Sequence, residues 1–175
     1  METLAKTAWA VDPTHSEISF KVKHMMISTV RGSFKDFNAT LESAEENLQD
    51  ATFSFSADIV SISTNNEDRD NHLKSDDFFN AADYPKMTFE STSFNGDSIT
   101  GNLTIRDVTK EVTLDADMSG VAVDPYGQTK VGFEISGEIN RKDFGLTWSA
   151  VTEAGNVVVS DKVKLSADVQ FAKQQ

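Results

Sequence analysis

The chain has 175 residues, 16 of them basic and 28 acidic, for a formal net charge of −12, and it contains no cysteine. That length suits one domain with an interior that needs no covalent staples, read here as a single unit over 1–175 with a core of about 8–172. Over much of the surface the charge repels nucleic acid phosphates and anionic membrane surfaces, so no nucleic acid partner is expected, and the missing thiols exclude disulfides, thiolate metal sites, thiol nucleophiles and palmitoyl anchors.

The N-terminal stretch METLAKTAWAVDPTH has an acid at position 2 and no apolar run of signal-peptide length. A cytoplasmic location is the expectation, with the periplasm as the alternative if a leader was removed. No segment is apolar and long enough for a membrane helix, so no stable membrane insertion is expected. A short strand signal follows at Ala8 to Asp12.

HSEISFKVKHMMIS, residues 15 to 28, then alternates: Ile18, Phe20, Val22 and Met26 share one parity, and Ser19, Lys21 and Lys23 share the other. This is the period of a half-buried strand. His24 lies on the apolar parity. It is either a core imidazole with a hydrogen-bond partner or a polar group that lines a cavity and meets a ligand. His15 and His24, nine residues apart on an unbroken strand, would face opposite sides roughly 30 Å apart, which forbids a shared metal.

Gly32 to Glu42 continues the strand pattern but slips between Phe34 and Phe37, which predicts a bulge near Asp36. Ala51, Phe53, Phe55, Ala57 and Ile59 alternate with polar residues. Thr64 to Asn80 does not alternate. Cap-forming asparagines, early acids and Lys74 near the end predict one or two short helices, with Leu73, Phe78 and Phe79 as the apolar face. Asp68, Asp70, Asp76 and Asp77 around His72 then form a solvated face.

Strand periodicity resumes at Lys86 to Phe94 and continues through Ile99, Leu103 and Ile105, Val112 to Met118, Val131 to Ile139 and Val163 to Phe171. LTIRDVTKEVTL predicts an antiparallel hairpin with a tight turn. Seven to nine such strands joined by short turns imply an antiparallel sheet that closes into a barrel or folds into a sandwich, and closure removes exposed edges. Small inward residues Ala57, Gly101, Ala116 and Gly137 either interdigitate with bulky neighbours or leave room for a ligand. No HExxH, GxSxG, Walker or GxGxxG motif is present.

Five blocks occur in order: DPTHSEISFKVKH (Asp12 to His24), RGSF (Arg31 to Phe34), NNEDRDNHLKSDDFF (Asn65 to Phe79), GNLTIRDVTKEV (Gly101 to Val112) and RKDFGL (Arg141 to Leu146). Together they resemble the signature blocks of the YceI-like family of polyisoprenoid-binding bacterial proteins. The resemblance implies an all-β, lipocalin-like, extended eight-stranded antiparallel barrel with a short helical insert and a long apolar tunnel. It implies binding of a long-chain isoprenoid lipid, such as a polyisoprenoid or an isoprenoid quinone, for sequestration or transport. No enzymatic activity and no cofactor are implied beyond that non-covalently held lipid, and a homodimer is compatible with the family.

By block and parity the resemblance places Phe20, Val22, Met26, Phe53, Phe55, Met87, Phe89, Leu103 and Phe133 in the tunnel lining. Ile59, Ile105 and Ile135 join them on the inward parity, His24 meets the polar end, and Leu73, Phe78 and Phe79 form a wall or lid. The rival readings are a lipid- or quinone-directed enzyme with His24 as acid-base, and a stress-related structural domain whose barrel is filled.

Overall fold

The computed structural model describes residues 7–24, 27–44, 48, 50–146 and 159–174, with the side chains of His24 and Val159 outside that description. Eleven strands form one antiparallel sheet: β1 (Thr7–Val11), β2 (Glu17–His24), β3 (Ser28–Phe34), β4 (Phe37–Ser43), β5 (Thr52–Asp58), β6 (Ile62–Ser63), β7 (Lys86–Phe94), β8 (Ser98–Ile105), β9 (Val108–Val123), β10 (Thr129–Asn140) and β11 (Val159–Lys173). A single helix, α1 (Glu67–Lys74), is described between β6 and β7.

Followed along the chain, these eleven segments make an eight-stranded barrel, because three of the strands are bent into two pieces each. β1 and β2 are separated by a 3₁₀ turn at Pro13–His15, β3 and β4 by Lys35 and Asp36, and β5 and β6 by a 3₁₀ turn at Ile59–Ser61. The bent strands pair with one another on both sides of the bend, through Trp9↔Leu41 and Ile18↔Phe34, then Leu41↔Phe53 and Phe34↔Ile62. β11 closes the ring by pairing with β1 at Phe171 to Lys173 and with β2 at Asp168 to Val159.

Each bend has a local cause. Asp12 accepts a hydrogen bond from Thr14 N at 3.0 Å, and Pro13 has no N–H to give a ladder. Asp58 N donates to Asp36 O at 2.9 Å, and Lys35 N donates to Ser61 O at 3.2 Å, which pins two bends together. The expected bulge near Asp36 is therefore a corner between two strands. The spacing of Phe34 and Phe37 reflects a parity reset shared by three neighbouring strands. His15 sits in the first bend, so the unbroken-strand geometry expected for His15 and His24 does not hold. Ile59 likewise belongs to a turn and not to the strand before it.

α1 begins at Asn66, whose side chain accepts from Arg69 N at 3.0 Å, and Glu67, Asp68 and Asp70 occupy its first turn. After Ser75 the chain continues in hydrogen-bonded turns, so the segment holds one helix. β8 and β9 form the expected tight hairpin, with Ile105 opposite Val108.

One end of the barrel interior is closed by aromatic rings. Phe133 packs against Phe53 at 5.2 Å, Phe171 at 6.0 Å and Phe94 at 6.2 Å between centroids, all near edge-to-face. Leu41 and Ile99 are fully buried beside the same strands. At the other end Phe79, from the turns after α1, meets Phe34 at 6.2 Å.

Candidate functional site: an apolar double cavity

Between the aromatic plug and α1 the barrel is not full. The first cavity, about 920 Å³ including its opening, is walled by aliphatic and aromatic side chains and a few serines, with no charged residue in its lining. The second, about 1100 Å³, lies under α1 and the 3₁₀ turn Arg141–Phe144. Phe20, Phe34, Met87, Ile105, Ile139 and Leu165 line both, so the two cavities adjoin across these side chains.

The glycines of the wall do not create this space. A Cβ on Gly101 would lie 2.6 Å from Phe89 Cζ, one on Gly32 would lie 2.3 Å from Phe20 Cζ, and one on Gly137 would lie 2.4 Å from Leu114 Cδ2. Large neighbours already occupy each gap, which is the interdigitating alternative of the sequence reading. The void arises because the ring of strands is wider than its inward side chains can fill.

Of the residues carried over from the family blocks, Phe20, Phe53, Phe55, Met87, Phe89, Leu103, Ile105 and Ile135 border the first cavity. Val22, Leu73, Phe78 and Phe79 border the second. Two reach neither. Phe133 is 2 % exposed within the plug, and Ile59 is buried at its bend. Met26 and the side chain of His24 lie outside the described residues. The lining also includes Ile18, Phe34, Leu165, Val169 and Phe171, whose inward parity is readable in the sequence, and Arg69 and Leu146, which no period-two run places.

The second cavity carries the polar groups. Arg69 donates through Nε and Nη2 to the hydroxyl and carbonyl oxygens of Thr64, both at 2.7 Å. Asp70 accepts from the same Thr64, from its N at 2.8 Å and its hydroxyl at 2.6 Å, so this acid holds a fold contact and is more than part of a solvated face. His72 pairs with Asp77 at 2.9 Å and stands edge-on to Phe78. Arg141, 2 % exposed, donates to Ser160 O at 2.9 Å and Leu146 O at 2.7 Å, with Asp161 3.8 Å away. Burial pulls its pKa below the ordinary guanidinium value, opposed by Asp161.

Chemically, the first cavity can hold a hydrocarbon chain, and the second can hold a polar end against hydrogen-bond donors. No titratable side chain lines the first cavity among the described residues. Groups of three or more metal-ligating side chains are absent among the described residues. No helix there is long and apolar enough to cross a membrane.

A closed antiparallel barrel around an apolar double cavity defines a lipocalin-like binding barrel. The YceI-like domain model matches residues 9–171, and the chain belongs to that family. A UPF0312 protein of Staphylococcus epidermidis is 40 % identical over 167 residues, covering 95 % of this chain and 98 % of the relative. The YceI protein of Campylobacter jejuni superposes with a TM-score of 0.74 at 36 % identity, over 87 % of this chain and 90 % of that one. A polyisoprenoid binding domain from Saccharophagus degradans shares the fold, with a TM-score of 0.73 at 15 % identity over 98 % of this chain and all of that one (100 %).

Proposed function

We propose that this protein binds one long-chain isoprenoid amphiphile, with the tail in the first cavity and the head in the second, and sequesters or carries it without transforming it. The observation that carries this reading is the adjacency of the two cavities across six shared lining residues, with charged side chains lining only the second. Each buried methylene favours binding by about 0.8 kcal/mol before the cost of ordering the chain, so a long tail needs no covalent or catalytic help to be retained. The polyisoprenoid-binding fold relative supports the ligand class, and a lining rich in Phe, Ile and Leu suits an apolar chain. No cofactor is required.

The test is organic extraction of the purified protein followed by mass spectrometry, and rebinding of the extracted compound to stripped protein. A prenyl lipid in about one-to-one amount, returned unchanged after incubation, is the expected result. An empty extract together with failure of stripped protein to bind any long-chain amphiphile would overturn the proposal.

A further inference from the structure

The net charge of −12 is unevenly spread over the barrel wall. Strand register places Arg31, Lys21 and Lys164 side by side on the outer face of β3, β2 and β11, through the pairs Lys21↔Arg31 and Lys164↔Lys21. Lys23 lies two residues along β2 and Lys162 two residues along β11, and all five are exposed. The acids of this half of the wall include Glu138, which stands opposite Lys164 in register and 3.7 Å from Lys162, Asp115 opposite Ser136, and Asp161, which serves Arg141 and Lys142. Lys21, Arg31 and Lys164 have no carboxylate within ion-pair distance among the described residues. Like charges directly opposite on neighbouring strands are unfavourable in an isolated fold, so the row is a candidate for an external anion surface.

Four residues further along the same strands the sign reverses. Glu17, Asp168, Glu134 and Asp117 are neighbours across β2, β11, β10 and β9. The rows are about 13 Å apart at about 3.3 Å per residue. That exceeds the Debye length of about 8 Å at physiological salt, so a surface touching the basic row is largely screened from the acidic one.

The basic face also borders a break in the strand ladder. The β9–β10 ladder ends at Ser136↔Asp115, although both strands continue beyond it. A surface depression of about 750 Å³ opens there, lined by Lys21 and Lys164 together with the acids Asp115 and Glu138. It shares Phe20, Ser136, Leu165 and Ser166 with the first cavity, so the same side chains face the outside and the tunnel.

We propose that the outer face of β3, β2 and β11 docks on an anionic lipid bilayer, the surface from which a lipid ligand is drawn and to which it is returned. The proposal rests on the lipid-binding reading above. A row of exposed cations on three adjacent strands fits a sheet of anionic headgroups, and its junction with an apolar cavity fits a bilayer better than a nucleic acid or an acidic protein.

The test is co-sedimentation with vesicles of phosphatidylcholine alone and with about one third phosphatidylglycerol, at physiological salt. Preferential binding to the anionic vesicles is expected. At about fivefold per charge, Arg31→Gln, Lys21→Gln and Lys164→Gln combined should weaken it by about a hundredfold. A control triple, Lys86→Gln, Lys110→Gln and Lys173→Gln, changes the net charge equally and should leave binding intact. Thermal melts and affinity for a long-chain probe in solution should match wild type in both triples, which separates failure of docking from failure of ligand binding. Equal loss in the two triples, no wild-type preference for anionic vesicles, or patch-dependent binding to an oligonucleotide or acidic protein but not to vesicles would overturn the proposal.

Discussion

Phe55→Ala and Phe133→Ala should have opposite consequences, although both residues sit on inward parity in neighbouring parts of the barrel. Phe133 is 2 % exposed and touches three other rings, so its removal leaves a cavity in the plug and should destabilise the fold by about 3–5 kcal/mol. Phe55 is half-buried and borders the first cavity, so one side of its ring already lacks packed neighbours. Its truncation should cost about 1–2 kcal/mol of stability, in proportion to the smaller area it removes from contact. Binding should show the reverse order. Phe55→Ala removes a wall against which a tail packs and should weaken affinity by about tenfold, whereas folded Phe133→Ala should bind as wild type does. Urea melts give the first pair of numbers, and titration with a fluorescent long-chain probe gives the second. A Phe133→Ala protein as stable as wild type, or one that loses more affinity than Phe55→Ala, would refute the division between plug and cavity.

Arg141→Leu should cost about 3–5 kcal/mol in denaturant melts, because the carbonyls of Ser160 and Leu146 lose their donor in a buried place. The Asp12 carboxyl accepts from the Thr14 hydroxyl at 2.6 Å, pairs with His15 at 2.9 Å and meets Lys130 at 3.2 Å, and these contacts hold it well below the usual carboxylate range. Its folded pKa is depressed, so its contribution is fully present above the unfolded value of about 4 and is lost as pH falls toward the folded one. Melting temperature followed from pH 5 down to pH 2 should therefore fall less steeply in Asp12→Asn than in wild type. An equal slope would show that other carboxylates carry the acid sensitivity.

The period-two runs from Thr52 to Asp58 and from Val163 to Phe171 made the strands legible, and the asparagine cap with early acids made α1 legible. Parity says which side chains face inward but not how far along the axis they sit. Phe55 and Phe133 were thus indistinguishable in sequence, although one borders a void and the other closes it. The bend at Asp36 looks like a bulge in sequence and Ile59 like the end of a strand, because each bend depends on a neighbouring strand bending at the same level. Arg69 left no trace, since its place at the cavity follows from Thr64, five residues earlier but on the adjoining turn. The charge rows were hidden for a related reason: Lys21 and Lys164 become neighbours only once register is known, and a net charge cannot report segregation.

The most direct measurement of the central claim is calorimetric titration of stripped protein with a homologous series of prenyl alcohols of increasing length. Affinity should rise steeply with each added unit, at up to about 0.8 kcal/mol per buried methylene-sized group, with a negative heat-capacity change, and then level off when the first cavity is filled. Phe55→Ala should lower the whole rising limb. Affinity independent of chain length, or a rise with no heat-capacity change, would contradict a tail buried inside the barrel.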